Sequence, residues 1–192
     1  RDLRVSGRWF DAANVPLGSE RQMSLPSNFN FPSVAADRKA SLVAWGRPPF
    51  VDGQMFTPSS QPIGAEFRIS SGDYTFDNFP APAAVPGGFM VVWVRDRGPD
   101  GAVLGRRYDR YGQSLGPEFI VSDYTPGVLS SAAMAASEHG DLVAVWEVEH
   151  GAGSADTVAQ RMTPAGTPRG AQFRVNEVTT GERFRPRVVS DD

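Results

Sequence analysis

One spacing that occurs four times does most to limit how this chain can fold. In each place a large side chain is followed, eight positions later, by a glycine. The four pairs are Phe10 with Gly18, Phe56 with Gly64, Tyr108 with Gly116 and Met162 with Gly170. After the last three glycines an aromatic residue follows at the third position, and these residues are Phe67, Phe119 and Phe173. Such repetition indicates one structural unit used several times.

A second anchor is an apolar stretch that ends in tryptophan. The start of the stretch precedes the tryptophan by 13 residues, in the pairs Pro32 with Trp45, Pro80 with Trp93 and Ala133 with Trp146. A fourth start is Pro186, and the successive starts are 48, 53 and 53 residues apart. Loops tolerate insertions and paired strands do not, so constant spacings joined by variable ones are typical of a structural repeat.

These anchors describe one repeat domain, residues 1–192. Its units lie at approximately 1–31 (partial), 32–79, 80–132, 133–185 and 186–192 (partial). The first unit departs from the pattern, because Arg21 stands where the others have an aromatic residue and Met23 is the nearest large apolar one. We therefore expect a less regular strand there.

Each complete unit offers four short strand candidates. In the second unit they are Ala81–Val85, Phe89–Val94, Ala102–Tyr108 and Pro117–Ser122, rich in β-branched and aromatic residues and bounded by turn residues. The alanine-rich run 130–137 falls in the first-strand position and is predicted as a strand. The 20 glycines and 16 prolines, about 19% of 192 residues against roughly 12% on average, favour many turns.

Four strands per unit of about 50 residues are the signature of a β-propeller blade. The sequence therefore predicts an all-β, propeller-like array of about four such units, as an incomplete or four-bladed ring, with the tryptophans packed between blades. A β-solenoid and a twisted sandwich are the alternatives. A blade composed of both chain ends would lack its tryptophan strand. We expect a segment of a longer propeller, a strand supplied by a partner chain, or a three-stranded blade.

Composition limits the classes of partner and chemistry. The net charge of −3 gives no electrostatic reason to expect a nucleic-acid partner. Without cysteine, thiol catalysis, disulfides and cysteine-based zinc sites are excluded. No apolar run approaches the roughly 18 residues of a membrane span. The chain begins with Arg1, which we interpret as a processed or excerpted chain.

No residue pattern typical of an enzyme is present. His139 and His150 are predicted in surface loops, and neither an HExxH nor a GxSxG motif occurs. We therefore predict a protein without catalytic residues.

Acidic residues cluster in two turn-like stretches, where we expect them to be solvated and to cap the backbone. The first stretch contains Asp73 and Asp77, and the second, "DRGPDG", contains Asp96 and Asp100. Calcium needs several oxygens that converge within one loop. Asp96 and Asp100 are retained as weak calcium candidates, and no other cofactor is expected.

Aromatic residues supply the binding candidates. Trp9 shares its repeat position with Met55, Arg107 and Arg161, and a position that accepts arginine is expected to face solvent or a rim. Trp9 is therefore predicted to be partly exposed or covered by something outside this chain, and exposed aromatic residues serve protein interfaces and sugar stacking. The residues considered for binding are Trp9, Tyr74, Tyr111 and Tyr124.

The third unit resembles repeats of bacterial exported or cell-surface proteins. Those repeats carry a tryptophan–acidic strand end, then D-(I/V)-x-A-Q-R and G-x-x-x-G-x-x-F-x-V-N. The matching residues are Trp146, Glu147, Asp156, Ala159, Gln160, Arg161, Gly166, Gly170, Phe173, Val175 and Asn176. The resemblance weakens through the second unit to the first. It implies a β-propeller-like fold, export, and often a place in large surface polypeptides, without implying an activity.

Together these features predict a non-catalytic binding or structural module. It would present loops and strand edges on a rigid scaffold in an extracellular, cell-surface or periplasmic assembly. Its expected partners are protein subunits or further blades of a longer chain. A carbohydrate-binding propeller is the alternative, with a glycan as ligand.

Overall fold

The chain folds into antiparallel β-sheets that follow one another in sequence order. A computed structural model describes residues 4–24, 31–71, 76–96, 100–122, 127–151, 153–178 and 185–190. These residues form one two-stranded and three four-stranded sheets, and they contain no helix. The prediction of an all-β chain is confirmed.

The two-stranded sheet is formed by β1 (Ser6–Gly7) and β2 (Arg21–Gln22), which we call the N-terminal hairpin. Gly7 lies opposite Arg21, as Gly53 lies opposite Phe67 in the next sheet. Arg21 therefore occupies the aromatic position, as the spacing predicts. Met23 fills the space beside Gly7, where an added Cβ would lie 2.1 Å from its Cε.

Each four-stranded sheet is a meander in which consecutive strands are neighbours. The first sheet contains β3 (Ser33–Ala36), β4 (Ser41–Arg47), β5 (Phe50–Phe56) and β6 (Pro62–Arg68). The second sheet contains β7 (Phe76–Val85), β8 (Gly88–Asp96), β9 (Ala102–Asp109) and β10 (Phe119–Ile120). The third sheet contains β11 (Val128–Ala136), β12 (Leu142–Gly151), β13 (Ser154–Met162) and β14 (Phe173–Arg174).

The strand pairing confirms the alanine-rich run as a strand and corrects two details. The fourth strand of the second unit covers only Phe119–Ile120, shorter than the predicted Pro117–Ser122. The repeat start in the third unit is Ala132 instead of Ala133. Ser33, Ala81 and Ala133 hold the same place in their ladders, opposite Ala44, Val92 and Val145. These partners are 11 positions apart in the first two sheets and 12 apart in the third, so the connection from β11 to β12 contains one extra residue, which shifts the count.

The sheets stack face to face, and the tryptophans lie between them. Trp93 belongs to the cluster that joins the first and second sheets, and Trp146 to the cluster that joins the second and third. Trp45 packs toward the N-terminal hairpin with Val5 and Phe56. All three indoles are fully buried. Each tryptophan thus faces the preceding unit, which confirms its predicted packing role.

Two hydrogen bonds recur in every unit and join its third and fourth strands. A polar side chain in the third strand donates to the carbonyl of the repeat glycine. These bonds are Arg8 to Gly18 (2.8 Å), Gln54 to Gly64 (3.3 Å), Arg106 to Gly116 (3.0 Å) and Gln160 to Gly170 (3.1 Å). The second bond runs from a backbone N–H to a side-chain oxygen six residues after that glycine. The acceptors are Ser24 for Val5 (2.9 Å), Ser70 for Val51 (3.0 Å), Ser122 for Val103 (2.9 Å) and Asn176 for Thr157 (2.7 Å).

Candidate functional site

The first strands of the sheets come together around a cavity of about 300 Å³. Its wall consists of four equivalent segments of the repeat, at 31–34, 79–82, 131–134 and 185–188. The segment 185–190 belongs to no sheet, yet Arg185, Arg187 and Val188 line the same cavity as the first strands. The described chain therefore arranges four repeat positions around one centre.

A left-handed backbone residue stands at the head of each segment. The residues are Phe31 (φ 34°), Phe79 (φ 51°), Ser131 (φ 51°) and Arg185 (φ 55°). Residues other than glycine rarely adopt this left-handed backbone region, because their Cβ comes too close to the following carbonyl oxygen. In β7 and β11 the residue lies in a bulge, where the ladder skips from Asn78 to Ala81 and from Ser130 to Ala133. The bulges turn the strands toward the cavity.

A second cavity, of about 430 Å³, opens beside the N-terminal hairpin, and we call it the hairpin groove. Residues 5–10 form one wall, Met23 lies at one side, and residues 32–34 with Ser41 and Val43 form the facing wall. Most of its lining is apolar because it lies over the cluster of Val5, Val43, Trp45 and Phe56. Residues 32–34 border both cavities.

Trp9 lies in the wall of this groove and is half-buried, in agreement with its predicted partial exposure. Its ring packs on Phe56 with centroids 4.8 Å apart and an interplanar angle of 52°. Exposure does not follow from the repeat position alone, because Met55 at the same position is fully buried. The first sheet is covered on both faces, so this position faces a neighbouring sheet there.

On the outer face of the third sheet, Phe173 and Val175 are exposed and Val143 is half-buried, whereas Val145 is buried. In the inner sheets the equivalents of Val175 are Ile69 and Val121, which are 0% and 3% exposed. Val175 is 53% exposed and Phe173 is 42% exposed. Phe119, the counterpart of Phe173, instead packs against Gly166 of the next sheet, where an added Cβ would lie 2.4 Å from its ring.

An ion pair in the second sheet involves a buried acidic side chain. Asp77 is fully buried in β7, where Arg95 donates to its two oxygens at 3.0 and 3.2 Å and also to Glu118 at 3.2 Å. The prediction of a solvated turn was therefore wrong for Asp77, because the chain pairs as a strand earlier than its composition indicates. Burial alone would lower the pKa of Arg95, but the bonds to Asp77 and Glu118 raise it.

A second buried acid lies in the first sheet. Asp52 is fully buried and contacts Arg47, with Arg68 3.9 Å away. Burial raises the pKa of Asp52, and the hydrogen bond from Arg47 opposes that effect. The neighbouring Arg68 guanidinium stacks 3.5 Å from the centroid of the Phe50 ring.

His150 lies in strand β12, not in the predicted loop, because β12 continues past Trp146 to Gly151. Its Nε2 is 3.1 Å from Asp156, whose other oxygen accepts from Asn176 at 2.9 Å. The hydrogen bond from Asn176 lowers the pKa of Asp156 and outweighs burial, which would raise it. His139 is exposed in the loop after β11, as predicted, and its nearest acid is Glu138 at 3.9 Å.

The remaining predicted site residues are not brought together within the described ranges. Tyr111 is 71% exposed on the turn after β9, in the second sheet, whereas Trp9 packs on the opposite side of the first sheet. Tyr74 and Tyr124, like Asp73, lie outside the described residues.

The calcium candidates lie at the connection between β8 and β9. Asp96 ends β8, but its side chain is outside the described part of the structure. Asp100 is exposed in the turn before β9. Among the described residues, no three His, Cys, Asp or Glu side chains are grouped as metal ligands.

No protein-family model matches this chain, and no curated protein matches it significantly. In the described ranges, no helix has the length and apolar character needed to cross a membrane.

Proposed function

We propose that this chain is a non-catalytic binding or structural module of an exported or cell-surface assembly. In this proposal the sheets are blades of a β-propeller-like array. Three stacked meanders whose first strands surround one cavity support that architecture. The resemblance of the third unit to exported bacterial repeats supports an extracellular, cell-surface or periplasmic location.

The observation that carries the proposal is the outer face of the third sheet. Val143, Phe173 and Val175 occupy positions that the repeat elsewhere buries against the next unit. Burial of one such side chain is worth roughly 1.5–3 kcal/mol, so this face gains considerably from a further unit. The scaffold is therefore suited to assembly with another repeat surface of matching shape.

Association in solution provides the test. The 192-residue chain should show concentration-dependent association in sedimentation velocity. In the associated form, the outer face of the third sheet of one copy contacts a repeat surface that is exposed on another copy. Phe173→Asp places a charge in that contact and should shift the chain toward monomer, because an unpaired charge is costly to bury.

Val15→Asp is the matched control, because Val15 is similarly exposed but lies in the turn of the N-terminal hairpin. It should leave the association unchanged. A chain that stays monomeric throughout its soluble range, or equal effects of the two substitutions, would contradict the proposed assembly through this face.

Carbohydrate binding is a second proposal, and the exposure of Tyr111 is the observation that favours it. An exposed phenol ring can stack on a sugar face. Saturable binding on a glycan array that disappears in Tyr111→Ala, with an unchanged melting temperature, would support a lectin-like function. If the wild-type chain binds no glycan on the array, the proposal of carbohydrate binding is contradicted.

A further inference from the structure

Among the described residues, the N-terminal unit contains a third and a fourth strand but no second strand. In the complete sheets, the second strand lies between the first and the third. The N-terminal hairpin supplies the third and fourth strands of its unit as β1 and β2, and Arg185, Arg187 and Val188 line the 300 Å³ cavity together with the first strands of the sheets. The second strands that the structure describes, β4, β8 and β12, are each already paired on both sides.

The hairpin groove coincides with the position that a second strand would take in this unit. Residues 5–10, which contain β1, form one wall, and the first sheet forms the facing wall through Val34 and Val43. Residues 32–34 also border the 300 Å³ cavity, which is lined by Arg185, Arg187 and Val188. The groove therefore extends from β1 toward that segment. Val5, Trp9 and Met23 supply an apolar lining.

Within the described ranges β1 pairs only with β2, so its other edge is without a neighbouring strand. The carbonyls of Val5 and Trp9 accept from Met23 and Leu17, at 2.8 and 2.9 Å, so they point toward β2. Backbone groups alternate sides along an antiparallel strand. Those of Ser6 and Arg8 therefore point away from β2, toward the groove, as a template for another strand.

We propose that the hairpin groove binds an extended strand of another polypeptide, antiparallel to β1, with the alternating apolar pattern of β4, β8 and β12. The proposal rests on the proposed function, since it names the chemistry of one partner of the module. The recognition mode is β-augmentation, in which backbone bonds provide affinity and the groove selects the side chains.

The repeat defines what each face of that strand would contact. In the second sheet, Met90 and Val92 face the following sheet, whereas Val91 and Trp93 face the preceding one. A strand of the same pattern in the groove would place the first set over Val43. Its other set would face away from the first sheet.

Charge adds a preference at one end. Arg4 and Arg8 are exposed on the hairpin beside the groove. In the repeat register, the position opposite Arg4 corresponds to the second residue after the tryptophan, as Val148 lies opposite Asp156. Opposite charges directly across neighbouring strands stabilise their pairing. A strand with an acidic residue at the second position after its tryptophan fits this site best.

Calorimetric titration with a synthetic peptide of residues 140–149, "GDLVAVWEVE", tests the proposal. We expect saturable binding to the 192-residue chain and none by a peptide of the same composition in scrambled order. Ser6→Pro removes an outward N–H and should weaken binding about tenfold, whereas Ser6→Ala keeps the N–H and should not. Val34→Asp should weaken binding, and Val15→Asp should leave it unchanged.

Equal binding of the scrambled peptide, or equal affinity of Ser6→Pro and wild type, would overturn the proposal. Melting temperatures of the Ser6 variants confirm that the hairpin remains folded. Peptide binding and self-association are measured separately, so the strand-binding proposal can fail while the proposed function stands. If the peptide fails to bind while Phe173→Asp still abolishes association, the groove has no such partner but the assembly module stands.

Discussion

At the scale of single residues, the unit is held together by side chains that complete the hydrogen bonds of irregular backbone. Ser70, Ser122 and Asn176 accept from N–H groups 19 residues earlier, where the ladder between the third and fourth strands ends. An N–H buried without an acceptor costs about 1–3 kcal/mol. These small polar residues are therefore part of the scaffold and are not free for ligand binding.

Ser122→Ala should destabilise the chain, since the Val103 N–H would lose its side-chain acceptor in a buried setting. We expect a loss of about 1–2 kcal/mol in the free energy of unfolding, measured by urea denaturation. Ser114→Ala, at an exposed position of the same unit, is the control and should change stability by less than about 0.5 kcal/mol. Similar losses for the two variants would contradict the acceptor role.

At the scale of the elements, an ion pair joins neighbouring sheets. Asp37, in the loop between β3 and β4, accepts from Nε of Arg110, in the turn after β9, at 2.7 Å. The same carboxylate caps its own loop by accepting from the N–H groups of Lys39 and Ala40. Burial would raise the pKa of Asp37, but these hydrogen bonds and the charge of Arg110 outweigh it and lower the pKa.

The lowered pKa gives a pH dependence with a defined sign. The folded chain holds the Asp37 proton less tightly than the unfolded chain, so this stabilisation is present above the unfolded pKa, near 3.8. It is lost as the pH falls through the lower, folded value. Asp37→Asn keeps the caps but not the charge, and should cost about 0.5–1 kcal/mol at pH 7.

Thermal unfolding of Asp37→Asn between pH 7 and pH 3 checks this expectation. The difference from wild type should shrink toward the acid end, because protonation removes the same ion pair from the wild-type chain. Asp141→Asn, which affects the exposed pair with Arg169, provides a comparison that joins no two sheets. A constant difference at every pH would contradict the role of the charge.

At the scale of the whole molecule, equivalent residues have different energetic roles according to what lies beyond them. Phe119 and Phe173 share one place in the repeat, but only Phe119 is covered by a following sheet in the described structure. Truncation of a buried phenylalanine costs about 3–5 kcal/mol, and an exposed one costs much less. The stacking order, more than the sequence of the unit, determines the effect.

Phe119→Ala should therefore destabilise the monomeric chain by about 2–4 kcal/mol, the lower part of that range reflecting its partial exposure. Phe173→Ala should cost less than about 1 kcal/mol under the same conditions. Urea denaturation at low protein concentration measures both, because dilution keeps the third-sheet face free. Equal losses would show that the outer face of the third sheet is already covered.

The repeat could be predicted from sequence because its signals are local. Turn glycines and aromatic positions recur at fixed spacings within each unit, where strand alternation and turn geometry set the distances. An equally local signal marks the side-chain acceptors, because each lies six residues after a repeat glycine. These acceptors are Ser24, Ser70, Ser122 and Asn176. The spacing predicts Ala133 instead of Ala132 as the start of the third unit because the connection from β11 to β12 contains one extra residue.

The sequence by itself determined the unit, its strands, its buried tryptophans and the all-β class. Only the tertiary structure decided which faces are covered, that Asp77 is a buried ion-pair partner, that His150 lies in a strand, and that a groove opens beside β1. The physical reason is distance along the chain. Hairpin geometry depends on neighbouring residues, whereas burial depends on which unit stacks on which, and identical repeat positions carry no record of that order.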